Sequence, residues 1–118
     1  PLDPRARFNL ANERLAAGDA EEASALYREA RRDATDDVEL RYAASYNLGL
    51  AAVARADALE VSKPQEALGF LHEAADWFRE AAAMRPDEDD PRHNLDVALR
   101  RAISGCDVLI VNGIVARR

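Results

Sequence analysis

Tyr46-Asn47-Leu48-Gly49 opens the stretch that decides the fold, and Glu73-Ala74-Ala75-Asp76-Trp77-Phe78-Arg79-Glu80-Ala81-Ala82-Ala83-Met84-Arg85-Pro86 closes it. The first part carries a Leu-Gly pair, the kind of small position at which two helices touch. The second puts Ala74, Phe78 and Ala81 on one helical stripe and ends in a proline, which cannot continue a helix. Small and large residues alternate, so two antiparallel helices can pack closely, with Phe78 filling the space that the small residues leave.

Outward toward the N-terminus the same pattern returns. Residues 5 to 17 place Phe8, Ala11, Leu15 and Ala16 at helical spacing, with Asp3 or Pro4 as the start. Ala17-Gly18-Asp19 is a turn in which Gly18 supplies a positive φ and Asp19 caps the next helix. Residues 20 to 33 then carry Ala23, Tyr27 and Ala30, the spacing of Ala74, Phe78 and Ala81. After a polar turn, Thr35 or Asp36 is expected to cap a long helix from Val38 to Glu60, with Asp37 and Glu39 in its first turn. Ser62, Pro64 and Gln65 read as a capping box that starts a further helix running to Arg85. Pro91 opens another, with Asn94, Leu95, Ala98, Leu99 and Ala102 in register.

Asn9, Asn47 and Asn94 each precede the Leu of a front helix, 38 and 47 residues apart. Against a repeat of about 34 residues, about four extra residues precede the second front helix and about 13 sit within the second hairpin. The latter would lengthen each helix of that hairpin by roughly 10 Å at 1.5 Å per residue. Ala51, Ala54, Ala58 and Leu59 are expected to face Ala67, Leu68 and Leu71 there. After Ile103 the chain turns β-branched and apolar through Val115. Propensity alone makes Val108 to Val111 a strand, but a lone strand has no partner, so continuation of the last helix is expected. Either way the segment is too apolar for a solvated end and is expected to pack on the array or on a second molecule.

These spacings resemble the tetratricopeptide repeat, W-x-x-L-G-x-x-Y followed by A-x-x-x-F, an Ala and a closing Pro. Leu48, Gly49, Ala74, Phe78, Ala81 and Pro86 fit. Ser45 and Ala52 stand in place of its Trp and Tyr, Ala11 in place of its first Gly, and Thr35 in place of its first Pro. The resemblance covers residues 4 to 103: repeat 1 at 4–37, repeat 2 at 38–88 and the front helix of repeat 3 at 89–103, with 104–118 as the apolar end. It implies an all-α fold, a right-handed stack of about five helices in antiparallel hairpins, the second one elongated. The Asn-Leu-x-x-Ala-Leu-Arg-Arg run from Asn94 also looks like bacterial repeat proteins of this superfamily.

Composition narrows the function. The net charge is −6 over 118 residues, which disfavours nucleic acid and anionic membranes as partners. No apolar run reaches the ~20 residues of a membrane helix, so membrane insertion is not expected. Cys106 is the single cysteine, which excludes an internal disulfide and a cysteine zinc site. His72 and His93 lack further ligands at metal spacing and read as surface residues. Asp87-Glu88-Asp89-Asp90 lacks the spaced oxygens and internal Gly of a calcium loop. No phosphate loop, catalytic triad or paired buried carboxylate stands out, so neither catalysis nor a cofactor is expected. Pro1 in place of Met reads as a processed chain or a piece of a longer one, and the sequence leaves the compartment and the partner open.

Binding residues follow from the resemblance. It implies that front helices line a concave groove holding an extended peptide or a helix. Asn9, Asn47 and Asn94 would run along it, flanked by Phe8, Tyr46 and His93, with Asn12, Leu50 and Val97 one turn further on. An asparagine offers both donors and an acceptor to a peptide backbone, but a hydrogen bond to the neighbouring helix is the equal alternative. One subfamily grips a C-terminal carboxylate with two Asn and three basic residues. Asn12 and Asn47 match the Asn pair, while Phe8, Asp90 and Asn94 occupy the basic places, so that clamp is not expected to work. Phe70, Trp77 and Met84 form a stripe that reads as core, with an apolar docking strip as the functional alternative. Self-assembly through the apolar end, at residues such as Leu109 and Ile110, is the alternative function and would give a homodimer.

Overall fold

A computed structural model describes the backbone of residues 2–114 and the side chains of residues 2–104. All regular structure among the described residues is helical: α1 (Pro4–Ala16), α2 (Ala20–Asp33), α3 (Val38–Leu59), α4 (Pro64–Met84) and α5 (Asp89–Ile114). The apolar C-terminal stretch therefore continues as helix through Ile114 and forms no strand; Val115 lies outside the described residues.

The helix boundaries follow from local chemistry. Asp3 caps α1 by accepting from the Ala6 N–H at 2.8 Å, and Asp19 caps α2 through Glu22 at 3.1 Å. Gly18 between them sits at φ 90°, a conformation that a Cβ disfavours. Helices α3 and α4 start at Val38 and Pro64 as expected, but two caps and the start of α5 differ. The cap of α3 is neither Thr35 nor Asp36 but Asp37, which accepts from Leu40 N–H at 3.0 Å. The capping box at Ser62 and Gln65 does not form, because the residue before a proline is driven out of the helical region. Lys63 takes the cap position at φ −140°, ψ 69°, and its side chain makes no cap bond. α5 begins at Asp89, ahead of Pro91, so two acidic residues enter a first turn whose exposed N–H groups favour negative charge.

Successive helices pack on one another from α1 to α5, and α1 also touches α3. Along the α3–α4 pair, contacts advance on one helix as they retreat on the other. Arg85 pairs with Glu39, Ser45 meets Glu80, Gly49 faces Phe78, and Ala56 clusters with Leu71 and Ala67. This is an antiparallel hairpin. Its helices have 22 and 21 residues, against 13 and 14 in α1 and α2. The extra residues thus became helix rather than loop. Ala56, not Ala58, meets α4 in the elongated part: it extends the stripe of Gly49 and Ala52, whereas Ala58 lies about 200° further round and is exposed.

At the tightest point, a Cβ built on Gly49 would lie 2.5 Å from the Phe78 ring. Glycine here serves the close approach of an aromatic side chain. Phe78 anchors a core with Ala52, Ala74, Ala75 and Ala98, and a second core joins Ala11, Ala23, Tyr27 and Leu48. Ala56, Ala67, Leu71 and Ala102 close the elongated end. Large rings against alanines let the helices approach without voids.

Hydrogen bonds place α1, α3 and α5 side by side. Asn47 on α3 donates to Asn12 on α1, and Asn94 on α5 donates to Tyr46 on α3. Arg28 and Arg31 of α2 pair with Glu73 and Glu80 of α4. The molecule is thus two layers deep, and its extents of 52 × 30 × 18 Å are those of a thin slab.

Candidate partner-binding face

The α1/α3/α5 layer gathers most of the residues expected to bind. Its helices are held in register by partly buried polar bonds. Tyr27 reaches up from α2 and its hydroxyl donates to Asn12 Oδ1. Asn47 Nδ2 donates to the same oxygen at 3.1 Å and to Tyr27 Oη at 3.4 Å. Burial pushes the Tyr27 phenol above its ordinary pKa, against the opposing pull of the Asn47 bond. Asn94 Nδ2 donates to Tyr46 Oη at 2.8 Å. Tyr46 stacks on Tyr42 at 6.3 Å between centroids and meets Phe78 edge-on at 5.6 Å. Phe8 packs on Tyr27 at 5.6 Å.

The asparagines therefore divide. Asn47 and Asn94 spend their amide N–H groups between helices, and Asn12 accepts from both Tyr27 and Asn47. Asn9 is exposed and takes no side-chain bond among the described residues. His93 is exposed as well, and Leu50 and Val97 remain 37% and 40% exposed. Of the residues expected to bind, Asn9, Leu50, His93 and Val97 are thus exposed, beside the bonded set of Asn12, Tyr46, Asn47 and Asn94.

The opposite layer holds a network that the sequence reading missed. Trp77, half-buried against the Ala11–Tyr27 core, lies under the guanidiniums of Arg28 and Arg31 at 5.5 and 5.2 Å. Its indole donates to Glu73 at 3.3 Å, and Arg31 Nε donates to the buried Ser45 hydroxyl at 2.8 Å. Ser45 accepts an arginine that a bulky ring at its position would exclude. The signal was legible as Arg28 and Arg31 one turn apart on α2, and Glu73 and Glu80 two turns apart on α4. Phe70 is half-buried against the Ala56–Leu71 core, with Arg55 4.2 Å above its ring. Both aromatics are thus roofed by arginine, which leaves little open strip. Leu109 and Ile110 lie on the helical part of α5, where only the backbone is described.

His72 and His93 are both exposed and far apart in the chain. Among the described residues no three His, Cys, Asp or Glu side chains come together to hold a metal ion, and no helix is long and apolar enough to cross a membrane. The chain matches no protein-family model, no curated protein and no solved structure.

Proposed function

We propose that this chain is a protein-interaction module of the tetratricopeptide type, a right-handed stack that binds a peptide or partner helix along its α1/α3/α5 face. The observation that carries this reading is the division of labour on that face. Partly buried amides and phenols fix three helices side by side, while Asn9, Leu50, His93 and Val97 stay open beside them. A receptor already ordered loses little conformational entropy on binding. The net charge of −6 favours a protein partner over nucleic acid. Nothing in this reading requires catalysis.

Selection of peptides from a random displayed library tests it. Leu50→Asp with Val97→Asp changes two exposed side chains and leaves the cores intact. Selected peptides are expected to bind this variant at least tenfold more weakly, about 1.4 kcal/mol. Equal affinity would place the binding surface elsewhere.

A second reading, self-assembly through the last helix, is favoured by Ile103. It is 61% exposed on a helix that continues to Ile114, beyond the last packed alanine at Ala102. Light scattering of the chain before and after removal of residues 104–118 distinguishes the two. A monomer in both cases speaks against assembly.

A further inference from the structure

Between the end of α2, the start of α3 and the end of α4 lies a cavity of about 460 Å³, lined by Arg31, Arg32, Thr35, Arg41, Glu80 and Met84. Arginines on this protein are spent on carboxylates. Every other described arginine, and Lys63, lies within 4.0 Å of an acidic oxygen. Arg41 has no acidic partner among the described residues, and its Nε is buried with no hydrogen-bond acceptor. A guanidinium that is partly desolvated and unpaired is an unusual thing to retain, because the charge loses water without gaining a counter-ion.

The surroundings are already biased toward an anion. Three arginines against Glu80, and against the Asp33 that pairs with Arg32, leave one positive charge at the cavity. The ends of α2 and α4 oppose it with about half a negative charge each, and the start of α3 returns about half a positive one. The balance stays positive in a chain whose net charge is −6. Arg31 is held by Ser45 and Glu80, and Arg32 by Asp33, so both are positioned before any ligand arrives. The Thr35 hydroxyl makes no hydrogen bond among the described residues, and Met84 supplies an apolar wall.

We propose that this cavity binds an oxyanion, a carboxylate or a phosphate group on a short apolar stem, with Arg41 as its principal cation. The planar fork of guanidinium donors suits two-point contact with either group. Thr35 supplies a further hydroxyl donor, and Met84 packs against the stem. The site lies away from the α1/α3/α5 face, so it stands or falls independently of the peptide-binding reading.

The test is a titration of the intact chain with inorganic phosphate, and separately with N-acetylglutamate, followed through the Nε–Hε resonances of the arginines at constant ionic strength. The Arg41 resonance is expected to shift and saturate with at least one of the two, and the arm that saturates first identifies the preferred group. Arg41→Gln is expected to weaken binding by about tenfold or more. Because that change is partly buried, Thr35→Ala serves as a second, exposed variant and is expected to weaken binding by a smaller factor. Arg100→Gln, on an exposed pair with Asp96 on α5, which contributes nothing to the lining, is expected to leave it unchanged. An Arg41 resonance that fails to saturate with either anion would overturn the proposal, and so would equal responses at Arg41 and Arg100.

Discussion

Gly49 shows how much one side chain can decide. Phe78 occupies the volume that a Cβ would need, so Gly49→Ala forces the ring or the helix to move. A cost of about 1–3 kcal/mol is expected in chemical denaturation, and Phe78→Leu in the same chain should recover part of it. If Gly49→Ala leaves the midpoint unchanged, the close approach is not what holds α3 to α4. Tyr27 carries a second residue-scale prediction. Its phenol is held above the ordinary value by burial, so the folded chain favours the neutral form. That contribution is complete below pH 10 and is lost as pH rises through the folded pKa. Tyr27→Phe is expected to cost about 1 kcal/mol at neutral pH, for the lost hydroxyl bonds. The gap between wild type and variant should narrow above pH 10. Asp33 acts at the other extreme. Hydrogen bonds from Arg32 and then Arg7 lower its pKa from 3.8 to about 2. Its stabilisation is present above pH 3.8 and vanishes as pH falls through about 2. A carboxyl carbon titration of Asp33 with a midpoint near 4 would contradict that pairing.

At the scale of elements, the helices and most of their first residues were legible, while the caps of α3 and α4 were not. Periodicity marks a buried stripe over many residues, so Ala23-Tyr27-Ala30 and Ala74-Phe78-Ala81 identify their helices with redundancy. A boundary depends on one or two residues. At the start of α4 the backbone restriction imposed by Pro64 outweighed the capping preference of Ser62, and the cap moved by one residue while the helix still began at Pro64. This leaves a helix whose cap is unfilled, and Lys63→Ser should supply the missing acceptor. An increase of about 1 kcal/mol in unfolding free energy is expected, and no increase would mean that the Lys63 position cannot host a cap. In the elongated hairpin the extra residues were correctly read as helix because their alanines repeat at helical spacing. The choice between Ala56 and Ala58 was missed, since an unbroken run of small apolar residues hides which one faces inward.

For the whole molecule, the layering of α1, α3 and α5 over α2 and α4 arises from pairwise contacts that sequence spacing suggests only through resemblance. The expected groove residues do collect on one layer, but half of them hold it together. Whether an asparagine bonds to a neighbouring helix or to a partner depends on what lies within 3 Å of it, and Tyr27 and Tyr46 were the unforeseen partners. The arginine network over Trp77 left only a spacing signal on each of its two helices, and the unpaired Arg41 left none, because charges on different helices meet only once the helices are placed. Amide chemical-shift mapping with a selected peptide tests the central claim most directly. Shifts concentrated at Asn9, Leu50, His93 and Val97 are predicted, whereas shifts concentrated on α2 and α4, with that face silent, would contradict it.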